Sequence, residues 1–135
     1  MSGGTLFTHA SGPRVVIVDA DRRVQQSLGD VLRVTGEVIV VGAAGDVRSA
    51  LELIDRERPD VVVVDPRLPD VSAGDAFIAS VRLAWPRTRI VLTGWSDAAE
   101  QPRLTASAAS YASKSALPED FVAAVLDACC LPQTA

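Results

Sequence analysis

The order of apolar and polar residues divides the chain into short apolar runs and longer segments with helical spacing. Residues 61–64 are four consecutive valines between turn-forming residues, a run too short and too β-branched for a helix. Because it does not alternate with polar residues, it predicts a strand buried on both faces of a parallel sheet. Asp65 follows directly, and this places a carboxylate at the end of the strand where open α/β sheets bind their ligands.

The same pattern recurs along the whole chain. Further strands are predicted over 14–19, 37–41, 89–93 and, weakly, 110–113. Helices are predicted after Asp21, around 47–54, around 76–85, over 97–106 and from Pro118. We expect the helix over 97–106 to be short or distorted, because Pro102 interrupts it. Strands alternating with helices predict an α/β fold with a doubly wound, five-stranded parallel sheet and helices on both faces.

Composition limits the organisation and the partners of the protein. The chain has 135 residues, of which 48% are hydrophobic, and we expect one domain over 13–131 with a flexible extension over 1–12 and a tail over 132–135. The net charge of −4 predicts no direct binding of nucleic acid and no attraction to anionic membranes. Neither a membrane-spanning run nor a signal peptide is recognisable, so we expect a cytoplasmic protein.

Four predicted strands deliver polar side chains to one edge of the sheet. Asp19, Asp65, Thr93 and Lys114 each follow or end an apolar run, and the backbone amide of Gly94 lies beside Thr93. Two carboxylates favour a divalent cation, whereas a hydroxyl, an amide and an ammonium suit phosphoryl oxygens. An aspartate can also act as a nucleophile toward phosphorus. The pattern therefore predicts a site for phosphoryl transfer.

Lys114 has a simpler interpretation as a solvated surface residue. However, it is a single lysine among 13 basic residues, and the pattern directs it toward two acids. A compact ammonium suits a small phosphoryl group better than a guanidinium does, so we favour a role in the site.

These residues resemble the receiver domain of bacterial two-component response regulators. The resemblance is carried by Val18-Asp19, Asp65-Pro66-Arg67-Leu68-Pro69, Thr93-Gly94 and Tyr111-Ala112-Ser113-Lys114, in that order over about residues 14–130. The last third is most similar to receivers of the NarL/LuxR type. The resemblance implies a flavodoxin-like (CheY-like) fold with strand order 2-1-3-4-5.

The same resemblance implies roles for individual residues. Asp65 would accept a phosphoryl group from a histidine kinase or phosphotransfer protein, with Mg²⁺ held by Asp19, Asp65 and the backbone carbonyl of Arg67. Thr93, the Gly94 amide and Lys114 would contact the phosphoryl group. Tyr111 would be an aromatic switch coupled to Thr93, although a rim aromatic with a solvated hydroxyl is the simpler alternative.

Such a domain would be a signalling module rather than an enzyme, with at most self-catalysed phosphorylation and dephosphorylation. The resemblance does not identify the output protein or domain, and it leaves a homodimer open.

Ala20 is the main departure from the pattern of the family, which has a second acid at this position. The absence of this second acid predicts weak Mg²⁺ binding, because Mg²⁺ is held largely by carboxylates. Asp21 is either a substitute ligand or the N-cap of the next helix. Two alternatives to a phosphorylatable receiver follow. One is a degenerate receiver that signals through protein contacts without phosphorylation; the other is a flavin- or nucleotide-binding protein, which the missing glycine-rich loop disfavours.

Overall fold

Strands and helices alternate along the chain as the apolar pattern predicts. The computed structural model describes residues 12–95 and 110–130. The strands are β1 Arg14–Val18, β2 Ile39–Ala44, β3 Val61–Val64, β4 Arg89–Gly94 and β5 Ser110–Ser113. The helices of the described part are α1 Arg22–Val34, α2 Val47–Glu57, α3 Val71–Ala84 and α4 Pro118–Cys130.

The five strands form one sheet in the order β2-β1-β3-β4-β5, and all four pairings between neighbours are parallel. Both the parallel sheet and the predicted strand order are confirmed. Since every strand runs in the same direction, the carboxyl ends of β1, β3, β4 and β5 meet at one edge of the sheet.

Two hydrophobic clusters cover the two faces of the sheet, because successive residues of a strand point to opposite sides. Val16 and Val18 of β1 pack with α2 and α3, whereas Val15 and Ile17 pack with α1 and α4. Every residue of β3 is completely buried. Helices therefore lie on both faces, as predicted, and the four valines form the centre of the domain.

Aspartates begin three of the helices. The side chains of Asp21, Asp46 and Asp70 accept hydrogen bonds from backbone N–H groups in the first turns of α1, α2 and α3. These bonds satisfy amides that have no partner within the helix. These three aspartates therefore mark the residues at which the helices begin.

The predicted limits of β2 are wrong. The strand begins at Ile39 rather than at residue 37, and it continues through Gly42 to Ala44. Gly42 does not end the strand, because it packs beneath Leu53 of α2; a Cβ at this position would lie 2.9 Å from the Leu53 Cδ1 atom. The glycine therefore serves close packing rather than a turn.

The predicted helix over 97–106 and the C-terminal tail lie outside the described residues, as do residues 1–11 of the predicted extension. Within the described ranges, no helix is both long and apolar enough to cross a lipid bilayer.

Candidate phosphoryl-transfer site

Backbone hydrogen bonds hold the residues at the carboxyl edge of the sheet side by side. The amide of Asp19 donates to the Ala44 carbonyl at 3.0 Å, and that of Asp65 donates to the Val18 carbonyl at 3.0 Å. On the other side, the Lys114 amide donates to the Gly94 carbonyl at 2.8 Å. The ladder of the sheet therefore continues one residue beyond the strands and fixes the backbone from which each polar side chain projects.

The ammonium of Lys114 lies between the two predicted acids. Its Nζ atom is 2.6 Å from Oδ2 of Asp19 and 2.6 Å from Oδ2 of Asp65. The side chains of Lys114 and Asp19 are each 4% exposed, and that of Asp65 is 13% exposed. Three charged groups are therefore largely removed from water, an arrangement that is costly unless the charges neutralise one another. The interpretation of Lys114 as a solvated surface residue does not hold.

Protein groups also satisfy the remaining carboxylate oxygens. Oδ1 of Asp19 accepts a hydrogen bond from the Asp21 amide at 2.8 Å, and Oδ1 of Asp65 accepts one from the Arg67 amide at 3.0 Å. The Gln25 side chain donates to the Asp19 carbonyl oxygen at 2.7 Å. The sequence analysis did not identify Gln25. The signal available in the sequence is a polar residue in the first turns of the helix that follows β1; in the structure this residue is half-buried and faces the end of β1.

Opposing influences act on the pKa of Lys114. Burial is the largest and lowers the pKa, but the hydrogen bonds and negative charges of Asp19 and Asp65 together outweigh it. The pKa of the ammonium is consequently raised above its ordinary value. Lys114 is therefore a permanent cation at neutral pH and compensates one of the two carboxylates.

Asp21 caps α1. Its Oδ1 atom accepts a hydrogen bond from the Arg23 amide at 2.8 Å, and the residue is exposed. The predicted N-cap role is confirmed, whereas a contribution of Asp21 to metal binding remains a prediction. The described ranges contain no group of three or more acidic, histidine or cysteine side chains placed to share a metal ion.

The donor set of the site fits Mg²⁺, although it is small. Two carboxylates converge on one point, and Mg²⁺ is often held by one or two carboxylates with water completing the shell. The position of the missing acid is Ala20, which is exposed at the mouth of the site. Lys114 occupies the point of convergence, so a metal ion would have to share the carboxylates with the ammonium.

Thr93 is a buried hydroxyl at the centre of the same edge. The residue is fully buried, and its Oγ1 atom has no hydrogen-bond partner among the described residues. An unsatisfied buried hydroxyl costs free energy, so such a group in a native structure calls for an explanation. Thr93 and Gly94 pair with Ala112 and Ser113 across β4 and β5, and the half-buried Tyr111 lies one residue earlier in that ladder.

The loop after β3 lies directly against α3. A Cβ atom at Gly74 would lie 1.6 Å from the Pro66 carbonyl oxygen, so no larger residue fits without moving the backbone. Pro66 is the residue next to Asp65. Gly74 therefore allows α3 to support the loop that carries Asp65 and Arg67; the exposed Arg67 contributes its backbone to the site, because its amide holds Asp65.

Trp95 lies beside the cation of the site. Its ring centroid is 5.4 Å from the Lys114 Nζ atom, although 62% of the residue is exposed. The signal in the sequence is its position, two residues after Thr93 at the end of β4.

Comparisons with known proteins agree with this geometry. Residues 15–126 match the family model described as the response regulator receiver domain. The transcriptional regulatory protein PdtaR of Mycobacterium tuberculosis is 35% identical over 130 residues, covering 93% of this chain and 61% of PdtaR. The DNA-binding transcriptional activator DevR/DosR of the same species is 34% identical over 116 residues, covering 84% of this chain and 53% of the activator. The chain thus spans roughly half to three fifths of these relatives.

Solved structures give the same result. The signal receiver domain of the response regulator NarL from Mycobacterium tuberculosis superposes with a TM-score of 0.75 at 32% identity, covering 88% of this chain and 97% of that domain. The response regulator domain of Thermotoga maritima CheB superposes with a TM-score of 0.72 over 90% of this chain and 98% of that one; at 19% identity it supports the fold alone. The order of the strands, the acid–lysine cluster at their carboxyl ends and the family match together show that this chain belongs to the response-regulator receiver family.

Proposed function

We propose that this receiver accepts a phosphoryl group on Asp65 and thereby switches a surface that contacts another protein. The observation that carries the proposal is the Lys114 ammonium, which lies 2.6 Å from Asp65 Oδ2 in a site with little exposure to water. A cation at this position would neutralise charge that develops on a phosphoryl group during transfer to Asp65. The phosphodonor would be the phosphohistidine of a kinase or of a phosphotransfer protein.

In the transfer step, a carboxylate oxygen of Asp65 forms a bond to phosphorus. The bond between phosphorus and the donor imidazole nitrogen breaks, and its electron pair stays on the imidazole, which takes up a proton. The Arg67 amide holds Oδ1 of Asp65 and orients the carboxylate. Asp19 and Asp65, with the backbone carbonyl of Arg67, would hold Mg²⁺, which when bound would supply further positive charge; without an acid at position 20 we expect this binding to be weak.

The buried hydroxyl of Thr93 provides a basis for switching. It has no hydrogen-bond partner among the described residues, and a phosphoryl oxygen on Asp65 would offer it an acceptor, next to the Gly94 amide. A shift of Thr93 toward the phosphoryl group would free space beside β4 that Tyr111 could enter. Phosphorylation would then bias two arrangements of β4, β5 and the adjoining segments, which is a shift of populations.

The output would pass to a partner protein or to another domain. Relatives of this chain are named as transcriptional regulators, and the chain covers only about half to three fifths of them. Its net charge of −4 disfavours direct DNA binding by these residues. If the signal regulates transcription, we therefore assign the contact with DNA to a different domain or protein. We expect the signalling to occur in the cytoplasm. A second copy of the chain is a further candidate partner.

Intact-mass measurement with a small phosphodonor tests the proposal. The wild-type chain should gain the mass of one phosphoryl group, whereas Asp65→Asn should gain none and remain as stable as the wild type. Asp46→Asn is the matched control, because Asp46 caps α2 outside the acid–lysine cluster and an asparagine at an N-cap still accepts a hydrogen bond from the helix. Labelling of Asp65→Asn at the wild-type rate would refute the assignment of Asp65.

A second candidate function follows from the hydrogen bonds that already occupy both carboxylate oxygens of Asp65. Protein groups bind both oxygens of Asp65, and an alanine stands where the family has an acid. A receiver with this site could signal through protein contacts without being phosphorylated. If the wild-type chain is not labelled but still binds its partner with an affinity that Asp65→Asn does not change, this second function would replace the first.

A further inference from the structure

Trp95 lies close to the Lys114 ammonium, which also contacts the two acids of the site. An ammonium has three N–H groups. The Lys114 ammonium donates a hydrogen bond to Asp65 Oδ2 and forms an ion pair with Asp19 Oδ2, both at 2.6 Å, and the indole centroid is 5.4 Å from the same nitrogen. This distance is within the range of about 6 Å over which an aromatic face attracts a cation. The Lys114 side chain is only 4% exposed, whereas Trp95 itself is largely exposed to solvent.

The backbone geometry places the two residues side by side. The Lys114 amide donates to the Gly94 carbonyl at 2.8 Å, and Trp95 is the next residue after Gly94. The two side chains therefore project from strand ends that are joined by a hydrogen bond, which fixes the separation of their backbones. The ring requires no long-range movement to reach the ammonium.

We infer that Trp95 is a positioning residue that holds the Lys114 ammonium at Asp65 before a phosphodonor arrives. The functional part of this inference rests on the proposed role of Asp65; the contact itself does not. Exposed cation–π pairs have free energies that correspond to about a two- to fivefold change in an equilibrium or rate constant. Loss of the ring should change the behaviour of Lys114 by about this factor and should be rescued by another aromatic residue.

The lysine composition of the chain allows a direct spectroscopic test. Lys114 is its single lysine, so isotope labelling of lysine gives one set of side-chain signals when no tag adds another. The ε-CH₂ protons of Lys114 should resonate upfield of their random-coil position because of the indole ring. The upfield shift should disappear in Trp95→Leu, persist in reduced form in Trp95→Phe, and be unchanged in Trp85→Phe, which removes the other tryptophan.

The rate of labelling by a small phosphodonor provides the functional readout. Trp95→Leu should lower the rate about two- to fivefold, and Trp95→Phe should restore most of it. If Trp95→Leu leaves both the lysine signal and the rate unchanged, the inference is wrong. If Trp95→Leu and Trp95→Phe lower the rate equally while the signal is unaffected, Trp95 acts through packing alone and the inference is also wrong. If the wild type is not labelled but the ring shift is present, the proposed function fails while the contact is established.

Discussion

The amino edge of the sheet, where the parallel strands begin, and the carboxyl edge, where they end, both carry paired charges, but the pairs are built differently. At the amino edge, Arg14 pairs with Glu57 at 2.9 Å, and the two side chains are 39% and 27% exposed. The same guanidinium donates to the Glu57 backbone carbonyl, and the Arg14 amide donates to Asp60 Oδ2 at 2.8 Å. At the carboxyl edge, Lys114 is 4% exposed between Asp19 and Asp65.

The difference distinguishes a structural connection from a site prepared for chemistry. The guanidinium at the amino edge joins β1 to the end of α2 through its several N–H groups. An ion pair as exposed to water as this one contributes little free energy. The ammonium at the carboxyl edge is a compact charge whose burial is not favourable for stability in itself. It lies at the same edge as the Thr93 hydroxyl, which has no partner in the described structure. At the amino edge, the Thr88 hydroxyl donates to the Pro59 carbonyl at 3.0 Å, although the buried Ser110 hydroxyl at the start of β5 has no partner among the described residues.

The largest expected effect on stability comes from the glycines of the two edges. Gly74→Ala should destabilise the fold by about 3 kcal/mol, the upper part of the range for overpacking, because the new Cβ would lie 1.6 Å from the Pro66 carbonyl oxygen. Gly12→Ala is the control at the amino edge: its Cβ would lie 2.5 Å from the Glu37 carbonyl oxygen, a less severe clash than that at Gly74, so we expect about 1 kcal/mol. Urea denaturation measures both; equal losses would contradict the supporting role of Gly74.

A difference in stability of similar size between the two edges should appear when the cation of each edge is removed. Lys114→Met should cost about 3 kcal/mol, the lower end of the range for breaking a buried ion pair, because it leaves two largely buried carboxylates without a counter-charge. Arg14→Met should cost less than about 1 kcal/mol, since its partner is partly in water. The same denaturation experiment at neutral pH gives both values, and a larger loss for Arg14→Met would reverse our interpretation of the two edges.

Alkaline pH should reproduce the loss of Lys114 without a mutation. Because the pKa of Lys114 is raised in the folded state, its contribution to stability is complete below the unfolded value of about 10.4 and is lost as the pH rises through the folded value. The difference in unfolding free energy between wild type and Lys114→Met should therefore shrink above about pH 10.4. The corresponding difference for Arg14→Met should stay constant, because arginine keeps its charge. A Lys114→Met difference that does not change with pH would contradict the charge role of the ammonium.

The smallest effects are expected from the two threonines. Thr93→Val should leave the stability of the unphosphorylated protein unchanged or raise it slightly, since the hydroxyl has no partner among the described residues to lose. Thr88→Val should cost about 1 kcal/mol, because it removes the hydrogen bond to Pro59. Thermal unfolding of the pair gives the comparison. A loss for Thr93→Val as large as that for Thr88→Val would show that the hydroxyl is already satisfied.

The strands and the residues at their carboxyl ends were predictable because each depends on local patterns, whereas the order of the strands followed only from the resemblance to receivers. The run of four valines identifies β3, and topology then places Asp19, Asp65, Thr93 and Lys114 at one edge. The continuation of β2 through Gly42 was not predictable from local propensity, since it depends on the packing of Leu53. The contacts of Gln25 with the Asp19 carbonyl and of Trp95 with Lys114 depend likewise on side-chain geometry. The N-cap use of Asp21 was one of two interpretations, and only the hydrogen bond to Arg23 distinguishes that role.

The central claim is that Asp65 is a phosphoacceptor in a site that lacks one acid of the family. The most direct measurement is the rate of phosphoryl labelling by intact mass as a function of Mg²⁺ concentration, in wild type and in Ala20→Asp, with Asp65→Asn as the blank. We predict that wild type is labelled and that Ala20→Asp reaches half its maximal rate at a lower Mg²⁺ concentration. Labelling of Ala20→Asp but not of wild type at any Mg²⁺ concentration would contradict the claim, and would identify the chain as a receiver that signals without phosphorylation.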